Sequence, residues 1–306
     1  MKNLLTLLLI TAAAALVSCE TYPQDDYEEY YVVEAYLVAD RQLPHVRLSK
    51  TVPADEVYDF SQAAINNANV AIQLLESGPE STVEQTYSYS FSMQNPGIYW
   101  ADVSHHVLPS RTYRLHITFP DSDDEITATT IIPGGFDILE GVRDTIVYQS
   151  SEQLEITVSE SSYPGRQNIF IFNALSDNPV AENLTPVYFD FYEDGDEDPE
   201  DLELFANNSS GIINEGNFEK NPDGSITIDY PWIGIAYYGE NKIVANTLDD
   251  NIYDFIRSQE VQLGGSTLSP GEIQNVIYNI EGGIGVFGAL ASDTVETFVK
   301  RNPAIN

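Results

Sequence analysis

In Arg111–Phe119 the apolar residues Tyr113, Leu115, Ile117 and Phe119 fall on every second position, with Arg114, His116 and Thr118 between them. A period of two lines one face of a β-strand with apolar side chains and leaves the other face wet. Such a strand needs antiparallel neighbours and a covering layer, which restricts the chain to sandwich-like β folds. The pattern recurs upstream. Tyr30–Ala39 is rich in Val and Tyr, Val46 and Leu48 alternate within His45–Thr51, and Val70, Ile72 and Leu74 share a face. Thr86–Phe91 alternates Tyr with Ser, Pro96-Gly97 turns the chain into Ile98-Tyr99-Trp100, and Asp124–Ile132 completes about seven strands at the short spacing of a sandwich. Residues 30–133 are therefore expected to form an immunoglobulin- or fibronectin-like antiparallel β-sandwich.

Pro133-Gly134-Gly135 interrupts the pattern and marks the expected domain boundary. A chain of 306 residues accommodates about two domains. In residues 134–306, Thr145–Val147, Leu154–Val158 and Asn168–Phe172 read as strands, as do Ser225–Asp229, Ile233–Tyr238 and Lys242–Ala245. One helix is expected over Asp250–Gln262, capped by Asp249 or Asp250 and stopped by Gly264-Gly265. Val276–Leu290 is Gly-rich and apolar, and Thr294–Val299 is a closing strand. The class is mainly β: a sandwich followed by a second β-rich domain with one helix.

Thirteen Lys and Arg against 48 Asp and Glu give a formal charge of −35, which argues against nucleic acid, since phosphates are bound by neutralising them. The single cysteine excludes an intrachain disulfide and a thiolate zinc site. Its position carries more. Lys2 precedes an apolar run, Leu4–Val17, that is shorter than the roughly 20 residues of a membrane-spanning helix, and Leu16-Val17-Ser18-Cys19 follows. This resembles the lipobox of bacterial lipoproteins. Residues 1–18 are then a signal peptide, and Cys19 carries a thioether-linked diacylglycerol and an acyl chain such as palmitate. At ~0.8 kcal/mol per buried methylene, several chains anchor stably where one is marginal. Residues 19–29, with Pro23, Asp25, Asp26, Glu28 and Glu29, cannot bury apolar area and read as an acidic tether. Asp25, Asp26, Glu28 and Glu29 also resemble the surface-export signal of Bacteroidota lipoproteins, and Glu20 is not the aspartate associated with inner-membrane retention.

Further residues carry a broader resemblance. Val32-Val33-Glu34-Ala35, Ala68-Asn69-Val70, Gly97-Ile98-Tyr99, Arg111-Thr112-Tyr113-Arg114-Leu115, Gln259 and the run Asn279–Gly288 follow one another as in a Bacteroidota lipoprotein family, domain of unknown function 4249. Arg111 departs from it, standing where the family more often has Gly. The resemblance implies an outer-membrane, surface-exposed lipoprotein often encoded beside TonB-dependent transporters. It implies no catalytic residues. A non-catalytic binding or accessory role beside such a transporter is therefore expected. The alternatives are a surface hydrolase on a β scaffold and a structural, adhesin-like protein.

Gly283-Ile284-Gly285-Val286-Phe287-Gly288 matches G-x-G-x-x-G, but no strand–helix alternation surrounds it, and its glycines read as a bulge or close sheet packing. The acidic run containing Asp190, Asp194, Asp196, Asp198 and Asp201 reads as a solvated loop, with weak calcium binding as its functional alternative and no other cofactor expected. An EF-hand alignment from Asp190 fails at Tyr192 and Asp201. His45, His105, His106 and His116 lack metal-binding spacing, and no G-x-S-x-G or S-x-x-K is present. Tyr230, Trp232, Tyr237 and Tyr238 are candidates for an aromatic platform for a glycan or peptide, with core packing the favoured reading.

Overall fold

The computed structural model describes residues 27–53, 55–77, 82–152, 154–195, 198–260 and 275–304. The strands are β1 (Tyr31–Val38), β2 (Val46–Lys50), β3 (Asn69–Leu75), β4 (Val83–Phe91), β5 (Ile98–Ala101), β6 (Thr112–Thr118), β7 (Glu125–Ile131) and β8 (Ile138–Glu140). They continue as β9 (Thr145–Val147), β10 (Leu154–Val158), β11 (Ile169–Ser176), β12 (Asn207–Ser209), β13 (Ile213–Asn214), β14 (Ile226–Tyr230), β15 (Gly239–Leu248) and β16 (Ile284–Lys300). Among the described residues four α-helices accompany them: α1 (Phe60–Ala63), α2 (Pro186–Asp194), α3 (Pro199–Phe205) and α4 (Asp250–Glu260). The fold is mainly β.

Burial follows the sequence pattern. Tyr113, Leu115 and Ile117 of β6 are fully buried, while Thr112, Arg114, His116 and Thr118 are half-exposed. One large sheet runs β12-β11-β15-β16-β1-β2-β5-β4-β3-β6-β7, with β13 beside β11 and β9 beside β16; β14-β10-β8 form a second, smaller sheet. The hinge of this arrangement is β16. Its first half pairs in parallel with β1, from Val32↔Ile284 to Val38↔Leu290, and its second half pairs antiparallel with β15, from Leu248↔Leu290 to Gly239↔Val299. A bridge between Thr127 and Glu281 brings β7 to the segment leading into the same strand. The ladder thus crosses from residues 30–133 into residues 134–306 without a break, and a single apolar cluster extends from Val33 and Leu115 to Phe172 and Ile228.

Several expectations are corrected. The acidic run is two helices rather than a loop, so the second half carries more than one helix. Pro186 and Pro199 occupy first-turn positions that need no amide hydrogen, and Asp198 caps α3 by accepting from the Glu200 N–H at 3.0 Å. Ile233–Tyr238 is not a strand but a 3-10 turn at Trp232–Gly234 and a bridge between Leu184 and Tyr237. Gly234 lies so near the Tyr230 ring that a β-carbon there would sit 2.5 Å from it, which fixes the turn. Ile284–Leu290 and Thr294–Val299 are one strand, not two segments. Gly264-Gly265 lies outside the described residues.

Candidate binding cavity and the shared-strand seam

A cavity of about 790 Å³ opens where the chain enters β1. Three loops build it: residues 27–31, the stretch from Lys50 through α1 to Asn67, and the β6–β7 turn. The Tyr27 hydroxyl donates to the Thr51 carbonyl at 2.5 Å, and the Tyr30 N–H donates to Thr51 Oγ1 at 3.0 Å, which fastens the entering chain to the end of β2. The Tyr31 ring stacks on Phe119 with centroids 4.4 Å apart, and its hydroxyl donates to Asp124 at 2.9 Å. Burial, then the Asp124 hydrogen bond, pushes the Tyr31 hydroxyl above its ordinary value. Asn67 donates to Asp121 at 3.1 Å. Asp59 caps α1, accepting from the Ser61 N–H, the Ser61 hydroxyl and the Gln62 amide, and those bonds hold its carboxyl below the ordinary range.

The lining is lopsided in charge. Glu29, Glu56, Asp59 and Asp121 face a single described cation, Lys50. The Lys50 ammonium pairs with Glu29 and lies 5.7 Å from the Tyr31 ring centroid, and the Glu29 hydrogen bond raises its pKa. No sequence pattern marks this cavity, because its parts come from three loops without a common motif.

The residues singled out in the sequence are dispersed. Tyr230 and Tyr237 are fully buried, Tyr238 is buried, and Trp232 is half-buried with its ring 5.6 Å from Tyr148. The Tyr237 hydroxyl donates to the Leu202 carbonyl at 2.6 Å, and burial pushes it up to about 12. Tyr237 packs beneath α2 and α3, whereas Tyr230, Trp232 and Tyr238 pack in or against the main core, so the four rings do not form one exposed platform. Asp190 and Asp194 lie on α2, Asp198 and Asp201 at the start of α3. Among the described residues no three His, Cys, Asp or Glu converge as a metal-binding group. Glu28 accepts from the Tyr30 hydroxyl at 2.6 Å, and Glu29 is the partner of Lys50. Cys19, Asp25, Asp26 and Asp196 lie outside the described residues. His105 bridges two hydroxyls, Tyr87 at 3.0 Å and Tyr113 at 2.9 Å, and burial holds its pKa below the ordinary value.

A second constellation, at the seam made by β16, was only half legible. Gly285 has φ +114° and faces the Val33 carbonyl of β1, where a β-carbon would approach to 2.1 Å. Gly288 leaves room for Ile252 of α4. Asp249 is fully buried: its carboxylate accepts from the Ile252 N–H at 2.9 Å and from the Thr130 hydroxyl of β7. Burial outweighs those hydrogen bonds and pushes its carboxyl up to about 6. Asn251 donates to the Thr129 and Phe287 carbonyls at 2.9 and 3.1 Å. The glycine run therefore packs sheet and helix together, as the sequence reading favoured.

A family model described as Domain of unknown function (DUF4249) matches residues 20–296, a span that takes in the cavity, the seam, every strand through β15 and most of β16. The chain belongs to this family. No curated protein matches the DUF4249 chain. Among solved structures, Escherichia coli alpha-2-macroglobulin activated by porcine elastase shares 11% identity over 89% of this chain and 23% of that one, with a TM-score of 0.23. A protocadherin gammaB7 EC3-6 cis-dimer shares 9% identity over 90% of this chain and 50% of that one, with a TM-score of 0.19. The DUF4249 chain thus spans a quarter to a half of the length of these structures, and at such TM-scores the likeness carries no argument.

Proposed function

We propose that this DUF4249 protein is an outer-membrane lipoprotein, anchored through Cys19 and exposed at the cell surface, with a non-catalytic binding or accessory role beside a TonB-dependent transporter. The address rests on the lipobox-like Leu16–Cys19 and the acidic residues after it. The transporter rests on the family resemblance. The observation that carries the binding role is the aromatic-walled cavity of about 790 Å³ at the end where the tether joins β1, a size in the range that holds small ligands. Tyr27 is eight positions after Cys19, so the cavity mouth stays within about 29 Å of the anchored cysteine at the extended-chain limit of ~3.6 Å per residue. A carboxylate of raised pKa facing this cavity would favour the rival reading of a carboxylate hydrolase; Asp249, whose carboxyl is pushed up, is buried in the seam instead.

Cells given labelled palmitate test the anchor. Label on the protein and recovery in the outer-membrane fraction are expected, with both lost in Cys19→Ser. An unlabelled wild-type protein, or a Cys19→Ser variant that still fractionates with the membrane, overturns the anchoring.

A further inference from the structure

We infer that the end of the molecule where the tether enters docks on a zwitterionic lipid surface through the side chains of Tyr27, Tyr30, Val57 and Tyr58. This rests on the anchoring of Cys19 proposed above, and adds to the acyl chains a contact made by the folded part of the chain. Val57 is 94% exposed, Tyr58 54%, Tyr27 46% and Tyr30 43%. Single exposed apolar groups need no explanation, but these four gather at one end. Tyr27 and Val57 line the same cavity, Tyr58 follows Val57, and Tyr30 exchanges hydrogen bonds with Thr51, from which the Val57 loop departs. That loop is fixed on both sides, by the Tyr27 hydroxyl and Tyr30 N–H on Thr51 and by the Asp59 cap of α1. The occupant is identified by the length of chain beyond Tyr27. Eight positions from Cys19, at ~3.6 Å each, keep the four side chains within about 29 Å of an anchored cysteine. At that reach the lipid surface stands at an effective concentration on the order of millimolar, so a weak apolar contact suffices. Tyrosine suits a membrane–water boundary, where the ring sits in apolar surroundings and the hydroxyl stays wet. Charge selects the kind of surface: Glu28, Glu29, Asp55, Glu56 and Asp59 flank the four side chains, and an anionic surface would repel them.

The test reconstitutes the lipidated full chain in phosphatidylcholine vesicles, with and without a nitroxide-bearing phosphatidylcholine that quenches nearby fluorophores. Cys19 is the only cysteine and its thiol is taken up by the lipid, so Val57→Cys supplies the one site for a fluorescent label. Val103→Cys is the control. Val103 is also exposed, but it follows the end of β5 that points away from Lys50 and the tether. Strong quenching at the Val57 position and little at the Val103 position are expected, since interfacial side chains sit ~5–10 Å into the headgroup and acyl boundary. Adding Tyr58→Ser is expected to lower the ratio of docked to undocked molecules about tenfold, the transfer contribution of one aromatic ring. Replacing about a third of the lipid with phosphatidylglycerol is expected to weaken the quenching at low salt. Equal quenching at the two positions, or none at either, overturns the inference while the anchor stands, because the chain still floats with the vesicles. Quenching that survives Tyr58→Ser undiminished would assign the contact to the label and overturn it as well. Equal or stronger quenching on the phosphatidylglycerol vesicles would overturn the choice of a zwitterionic surface. A wild-type chain that takes up no palmitate would instead overturn the anchor, and this docking with it.

Discussion

Gly285→Ala is expected to remove at least about 3 kcal/mol of stability and to lower the whole unfolding transition rather than one part of it. Two costs add. At φ +114° the backbone occupies a region that side-chain-bearing residues rarely adopt, worth ~1–3 kcal/mol. The new methyl would also press on the Val33 carbonyl, and that carbonyl belongs to the β1–β16 ladder and cannot retreat without opening it. Against a usual total of about 5–15 kcal/mol, this is a large fraction. Gly165→Ala is the control: φ is +80° there too, but nothing lies within 4 Å of the added carbon, so the expected cost is only about 1–2 kcal/mol. Urea unfolding of both variants measures the difference. Equal losses would mean that β16 does not hold β1 as described.

The second large effect is pH-dependent and belongs to Asp249. Its folded-state pKa, about 6, stands above the ordinary 3.8, so the folded protein holds the proton more tightly than the unfolded chain. Below about pH 4 the group is protonated in both states and costs nothing. As pH rises towards 6 the unfolded chain ionises first, stability falls, and above 6 the buried carboxylate costs the fold roughly 3 kcal/mol. Asp249→Asn cannot ionise; its Oδ1 still accepts from the Ile252 N–H, and its amide takes the place of the second oxygen, donating to the Thr130 hydroxyl instead of accepting from it. Relative to the variant, wild type is expected to lose roughly 3 kcal/mol between pH 4 and pH 7. Comparing the two proteins cancels the titration of the other carboxylates. A constant difference across that range would place Asp249 in a wetter site than the seam provides.

Both effects concern the part of the fold that the chain conceals best. Strands whose two faces differ were legible, because burial of one face enforces the alternation: Thr145–Val147 and Leu154–Val158 were read to the residue, and β6 to within one or two. The alternation in Tyr31–Val38 announces a strand but not its partner. Its parallel neighbour lies some 250 positions away, and no local pattern encodes that pairing. The same blindness split β16: its glycines read as a bulge or close packing, but nothing local joins the Gly-rich run Val276–Leu290 to Thr294–Val299 as one strand between β1 and β15. Helices α2 and α3 were hidden by their charge. Density of Asp and Glu signals a solvated loop, whereas the cap-and-proline pairs Thr185-Pro186 and Asp198-Pro199 were the local evidence for helix starts. Tyr230, Tyr237 and Tyr238 are core, as the favoured reading held, and the rings that do wall a cavity, Tyr31 and Phe119, meet only through tertiary packing.

The accessory role is tested most directly by purifying the tagged full-length protein from outer membranes in mild detergent and identifying by mass spectrometry what accompanies it. A TonB-dependent transporter recovered in stoichiometric amount is the expected result. Recovery of the protein alone, with the transporter left in the unbound fraction, would contradict it.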